Sequence, residues 1–187
     1  MTDSAPSFLG AWSNFYVMTG SAAAALTGLM FVVITLVTGE RSRTTRDGLA
    51  TFSTPTVLHF GAALLISAIL CAPWHALLRV AILTGLSGLI GFGYSARIAF
   101  RASKLSTYKP DLEDWICYTI LPLIAYGAIF GSSIGLMVAP ASALFALAGG
   151  VILLIFTGIH NAWDVVTYVT IKDVDDAPAS SATSSKQ

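Results

Sequence analysis

FYVMTGSAAAALTGLMFVVITLV, from Phe15 to Val37, carries no charged side chain. Crossing the hydrocarbon core of a bilayer takes about 20 consecutive, mostly apolar residues in a helix, and this stretch supplies them. Working outward from it, comparable runs recur along the chain, and five spans are expected at about 15–37, 53–74, 76–99, 115–138 and 141–168. In lipid only helices and closed barrels satisfy their own backbone groups, and long apolar runs of this kind are helical. The expected fold class is an all-α membrane protein, a five-helix transmembrane bundle over 1–172. A polar tail, 173–187, rich in Ser, Ala and Asp, has too little apolar surface to offset the entropy of ordering it and is expected to be disordered.

Composition points the same way. Hydrophobic residues make up 55% of the chain and charged residues 11%, with a mean hydropathy of +0.76, whereas soluble domains carry about 25% charge. Ten basic and ten acidic residues cancel, so no net field attracts nucleic acid, and the lipid bilayer is the surrounding partner. The chain start lacks Lys and Arg, and the first apolar run is long enough to span, so it is read as retained rather than as a cleaved signal. Cys71 and Cys117 fall at opposite ends of their spans and are not expected to pair within one subunit.

The basic residues set the expected orientation, because Lys and Arg favour cytoplasmic loops. Arg41, Arg43 and Arg46 follow the first span, Arg97, Arg101, Lys104 and Lys109 the third, and Lys172 and Lys186 the fifth. All nine fall on one side; Arg79 alone falls on the other. The N-terminus is therefore expected outside and the C-terminus in the cytoplasm, with Trp12 and Trp74 anchoring the outer interface and Trp115, Tyr118 and Tyr168 the inner one. Short proline-containing turns at Pro73 and Pro140 pair spans two with three and four with five as antiparallel hairpins.

Helices in lipid associate through close approach, which small residues at every fourth position allow. Gly127, Gly131 and Gly135 have that register in the fourth span and Gly20, Ala24 and Gly28 in the first, while the third is dense in glycine at Gly85, Gly88, Gly91 and Gly93. Packing within one subunit explains most such stripes. Three of them exceed what five helices need, so one, the triple-glycine face of the fourth span, is expected to join copies in a homo-oligomer.

Thr157, His160, Asn161, Asp164, Thr167 and Tyr168 lie at helical spacing on the fifth span, on a helix otherwise apolar. Such groups turn toward a bundle interior or a wet cavity, and ionisable residues within a membrane are functional candidates. Thr56 and His59 on the second span and Arg97 on the third fall at a similar depth, so a cytoplasm-facing cluster of His160, Asp164, Asn161, His59, Arg97, Thr56 and Thr157 is expected. The plainer reading keeps Asp164 and Arg97 as interfacial charges and bonds His160 to Asp164 one turn away.

Three functions follow. The leading one is a channel-like or transporter-like protein in which this cluster passes an ion or proton. The alternative is a haem or divalent-metal protein using His59 and His160 as axial ligands, or those two with Asp164 as a two-histidine, one-carboxylate centre. The last is a non-catalytic regulator or assembly factor that contacts other membrane proteins. No nucleophile sits beside a base and no phosphate loop is present, so enzyme chemistry has little support. From Trp12 to Val33 the run WSNFYVMTGSAAAALTGLMFVV resembles the opening of small polytopic bacterial membrane proteins of unassigned function, with an aromatic start, an alanine run and then Leu-x-Gly-Leu-x-Phe-Val. That resemblance covers the first span and implies a bacterial cytoplasmic (inner) membrane, with no functional residue carried over.

Overall fold

The computed structural model describes residues 5–39, 43–104 and 115–175, and the elements in these segments are helices. They are α1 (Ala5–Gly39), α2 (Arg43–Cys71), α3 (Leu77–Lys104), α4 (Ile116–Gly135) and α5 (Pro140–Asp175). All five are long and apolar enough to cross a membrane, which makes an all-helical, multi-pass architecture. Arg41, Lys109 and Lys186 of the charge tally, and residues 176–187 of the expected tail, lie outside the described residues.

The helices extend beyond the apolar windows. Most of the stretch from Thr38 to Ala50, between the first two expected spans, belongs to helix: α1 ends at Gly39 and α2 starts at Arg43. Hydropathy marks where lipid demands a helix, not where backbone hydrogen bonding stops, and Arg, Leu and Ala are good helix formers in any solvent. Pro55 lies inside α2 and removes one hydrogen bond of its ladder.

Contacts along the helices show neighbours running in opposite directions. Gly20 meets Ser67, and the Cys71 thiol approaches the Ser13 carbonyl at 4.0 Å. Gly88 meets Phe130, and Gly135 meets Ala143. The bundle therefore has a turn end, holding the start of α1 and the turns at Pro73 and Pro140, and a linker end, where α2 begins and α5 finishes. At the turn end the Trp74 indole donates to the Ile69 carbonyl at 2.6 Å, tying the α2–α3 connection down.

Packing departs from the two expected hairpins. The α4–α5 pair is closely packed, but α3 leans on α4 and touches α2 little, while α2 packs on α1 and α5. Glycine explains the choice. A Cβ at Gly88 would sit 2.8 Å from the Phe130 nitrogen, one at Gly85 2.6 Å from the Ser133 hydroxyl, and one at Gly91 would overlap the Tyr126 ring. Absent those side chains, the α3 backbone lies directly against α4, as small residues allow in lipid. α5 is the hub: half of its membrane-length window is buried inside the bundle, against 22% for α1. Around it at the turn end, Leu70, Leu136, Leu144, Leu147 and Val80 close an aliphatic core.

Candidate functional site

Toward the linker end the buried core changes character. Thr56 and His59 from α2, Ser95 from α3, Thr119 and Tyr126 from α4, and Thr157 and Asn161 from α5 are all buried. Four helices thus contribute polar side chains to one half of the interior.

Two ring sockets hold this layer. Gly158 of α5 receives the Phe60 ring, whose edge would meet a Cβ there at 2.5 Å, and Gly91 of α3 receives Tyr126. Seated in that way, the Tyr126 hydroxyl reaches the His59 Nδ1 at 3.0 Å and joins α4 to α2. Both side chains are 2% exposed, so each is the other's means of avoiding an unsatisfied polar atom in an apolar interior.

α4 enters the layer through a π-helical turn, Ile116–Ile120. Pro122 has no N–H to offer the carbonyl four residues back, and its ring crowds that carbonyl. The preceding turn widens, with the Leu121 N–H bonding the Ile116 carbonyl five residues back. This turn buries Cys117 and Thr119, and the Tyr118 hydroxyl donates to the backbone carbonyl of Asn161 at 3.5 Å. Such π-bulges recur at functional sites.

On α5 the polar stripe divides. Successive residues turn by about 100° around a helix, and this angle parts Asn161 from His160. Asn161 is 0% exposed. His160 and Asp164 are 32% and 34% exposed and lie 3.4 Å apart as an i,i+4 pair, one turn of helix between them. The faces of α5 follow from its glycines: Gly158 looks at α2, and Gly150, against Ala125 and Ile129, looks at α4. Asn161 falls between these directions and Thr157 lies about 20° past the Gly150 direction, so both turn into the wedge between α2 and α4.

Both polar atoms of the Asn161 carboxamide, the Thr157 hydroxyl and the Ser95 hydroxyl have no hydrogen-bond partner. The contrast with other buried hydroxyls is sharp. Thr84 donates to the Val80 carbonyl, Ser132 to Ala128 and Ser133 to Phe130, while Thr19 and Ser67 bond each other. Among the described residues nearer the turn end, the Tyr16 hydroxyl is also buried without a partner. Moving an amide from water to apolar surroundings unpaired costs roughly 2–7 kcal/mol, so the concentration of such groups on one face of α5 is the outstanding chemical feature of the molecule.

Of the residues expected in the cluster, Thr56, His59, Thr157 and Asn161 share the buried layer, His160 and Asp164 stand half-buried beside it, and Arg97 is exposed. Among the described residues no three His, Cys, Asp or Glu side chains lie together as a metal centre requires. His59, His160 and Asp164 are therefore not assembled as one ligand set: His59 bonds Tyr126, while His160 and Asp164 pair with each other along α5. Tyr126, Ser95 and Thr119 were not anticipated. Glycines on α3 at a spacing of three, facing a fourth span that contains two tyrosines, Tyr118 and Tyr126, were the available signal.

The glycine stripes also resolve by position. Gly20 sits 3.0 Å, as an added Cβ, from Ser67, and Gly127 faces Phe92 of α3. Gly135 packs on Ala143 of α5, while Gly131 and Gly28 face open space and Ala24 is exposed. A concavity of about 260 Å³ lies at the turn end between α1 and the α2–α3 connection, lined by Ser13, Leu70, Cys71, Trp74 and His75 among others. No protein family, curated protein or solved structure matches this chain.

Proposed function

We propose that this is a multi-pass protein of a bacterial cytoplasmic membrane, oriented with its N-terminus outside, that handles ions or protons in a transporter-like manner through the polar chamber at its linker end. What supports the reading is the burial of Thr56, His59, Tyr126, Thr157 and Asn161, polar side chains of three helices, within the bundle. Polar groups at that depth are costly in lipid, and they gather where a polar species is bound or passed. With the basic residues on the cytoplasmic side, the chamber lies toward the cytoplasm and the half-exposed His160–Asp164 pair stands at its rim. The aliphatic core at the turn end closes the outer half, so passage requires that half to part, as alternating access does. Self-association through the uncovered small residues of α1 and α4 belongs to the same reading.

Reconstitution in liposomes loaded with pH-sensitive and potential-sensitive dyes tests it. Wild type should dissipate an imposed gradient, and Asp164→Asn should slow it at least severalfold. Absence of flux in wild type, or an unchanged rate in Asp164→Asn, removes transport as the function.

A further inference from the structure

The enclosed wedge between α2, α4 and α5 has a property that transport alone does not require. Asn161 presents an unpartnered donor and an unpartnered acceptor, and Thr157, one turn away on the same side of α5, presents a hydroxyl able to do either. Thr19, Thr27, Thr84 and Thr167 each donate to a carbonyl four residues back on their own helix, and Thr157 makes no such bond. Both side chains are within 1% of complete burial, so no lipid headgroup or bulk solvent reaches them in this conformation.

An occupant of the wedge must therefore accept from the carboxamide N–H groups as well as donate to its oxygen. A metal cation only accepts electron pairs and leaves the N–H groups orphaned. The Asp164 carboxylate, whose Oδ2 is itself buried, is engaged 3.4 Å from the His160 imidazole. Water does both, and internal waters typically hold three hydrogen bonds to groups that are otherwise unsatisfied. We propose that Asn161 and Thr157 form a binding site for internal water within the chamber, and that this water makes the proton, rather than a metal cation, the species handled there. The second half of this statement rests on the transport reading above; the first does not.

Pulsed radiolysis of the protein in detergent separates the two. Hydroxyl radicals generated from a bound water oxidise the side chains beside it, whatever their exposure. Phe60 packs on Gly158, beside Thr157 on α5, and at 0% exposure is as inaccessible as Met30, which is 3% exposed on α1. The expected result is oxidation of Phe60 severalfold faster than Met30 after correction for intrinsic reactivity. In Asn161→Leu that excess should fall to the Met30 level. Thr157→Val, which keeps the side-chain shape, should reduce it even if the first variant fails to fold. Equal protection of Phe60 and Met30 in wild type overturns the water site, and so does an excess unchanged in both variants. In liposomes, collapse of a pH gradient without matching sodium or potassium flux supports the proton assignment, and equal metal-cation flux overturns it. A hydrated wedge in a protein that moves nothing would refute the transport reading while leaving the water site standing.

Discussion

The His59–Tyr126 bond is the best single measure of how tightly the polar layer is built. Tyr126→Phe removes the hydroxyl, keeps the ring in its socket against Gly91, and leaves the His59 Nδ1 unsatisfied. Side-chain hydrogen bonds between membrane helices measure about 0.6 kcal/mol on average and about 1.7 at most, whereas an orphaned buried group costs about 1–3 kcal/mol. Tyr126→Phe is thus expected to destabilise by about 1–3 kcal/mol in a detergent unfolding titration. The double variant with His59→Leu should recover part of this, with a coupling of roughly 1 kcal/mol. Coupling of zero means that the two side chains are neighbours without a working bond. Asn161 teaches a related lesson about legibility. Its residue type and depth were plain from the sequence, yet its separation from His160 was not, because 100° of rotation matters only once the directions of α2 and α4 are known.

Between elements, glycine position outweighs glycine spacing. Gly88 lies against the Phe130 backbone, which has no room to yield, whereas Gly131 faces open space. Gly88→Ala is expected to cost about 1–3 kcal/mol through overpacking of α3 on α4. Gly131→Ala should be neutral or stabilising by up to about 1 kcal/mol, since alanine is the better helix former and meets nothing. Both follow from thermal or denaturant unfolding in the same detergent. A Gly131→Ala variant as damaged as Gly88→Ala, with a change in molecular mass by light scattering, would show that α4 makes its closest contact with another copy. The regular four-residue stripe of α4 was legible as a pattern, but its three glycines face α3, open space and α5 in turn. The π turn at Ile116–Ile120 had a sequence cue in Pro122, which hydropathy alone passes over.

For the whole molecule, orientation has a direct chemical test. Cys71 is exposed at the turn end and Cys117 is buried near the linker end. With the N-terminus outside, a membrane-impermeant maleimide should label Cys71 on intact cells, and Cys117 should react only after denaturation. Labelling of Cys71 only in inverted vesicles would reverse the topology and place the polar chamber on the outer side. The sequence by itself determined the solvent, the all-helical class, the number of crossings and the ends at which charge collects. These are properties of composition along a line, fixed by the cost of unpaired backbone and charge in hydrocarbon. Tertiary structure alone decided that α3 packs on α4 rather than on its chain neighbour, that Tyr126 meets His59, and that Asn161 is enclosed while His160 and Asp164 are not. Lipid is as apolar as the helix faces it surrounds, so burial inside the bundle leaves little trace in hydrophobicity. Neighbours are chosen instead by glycine sockets, ring shapes and the pairing of polar atoms, which exist only between helices.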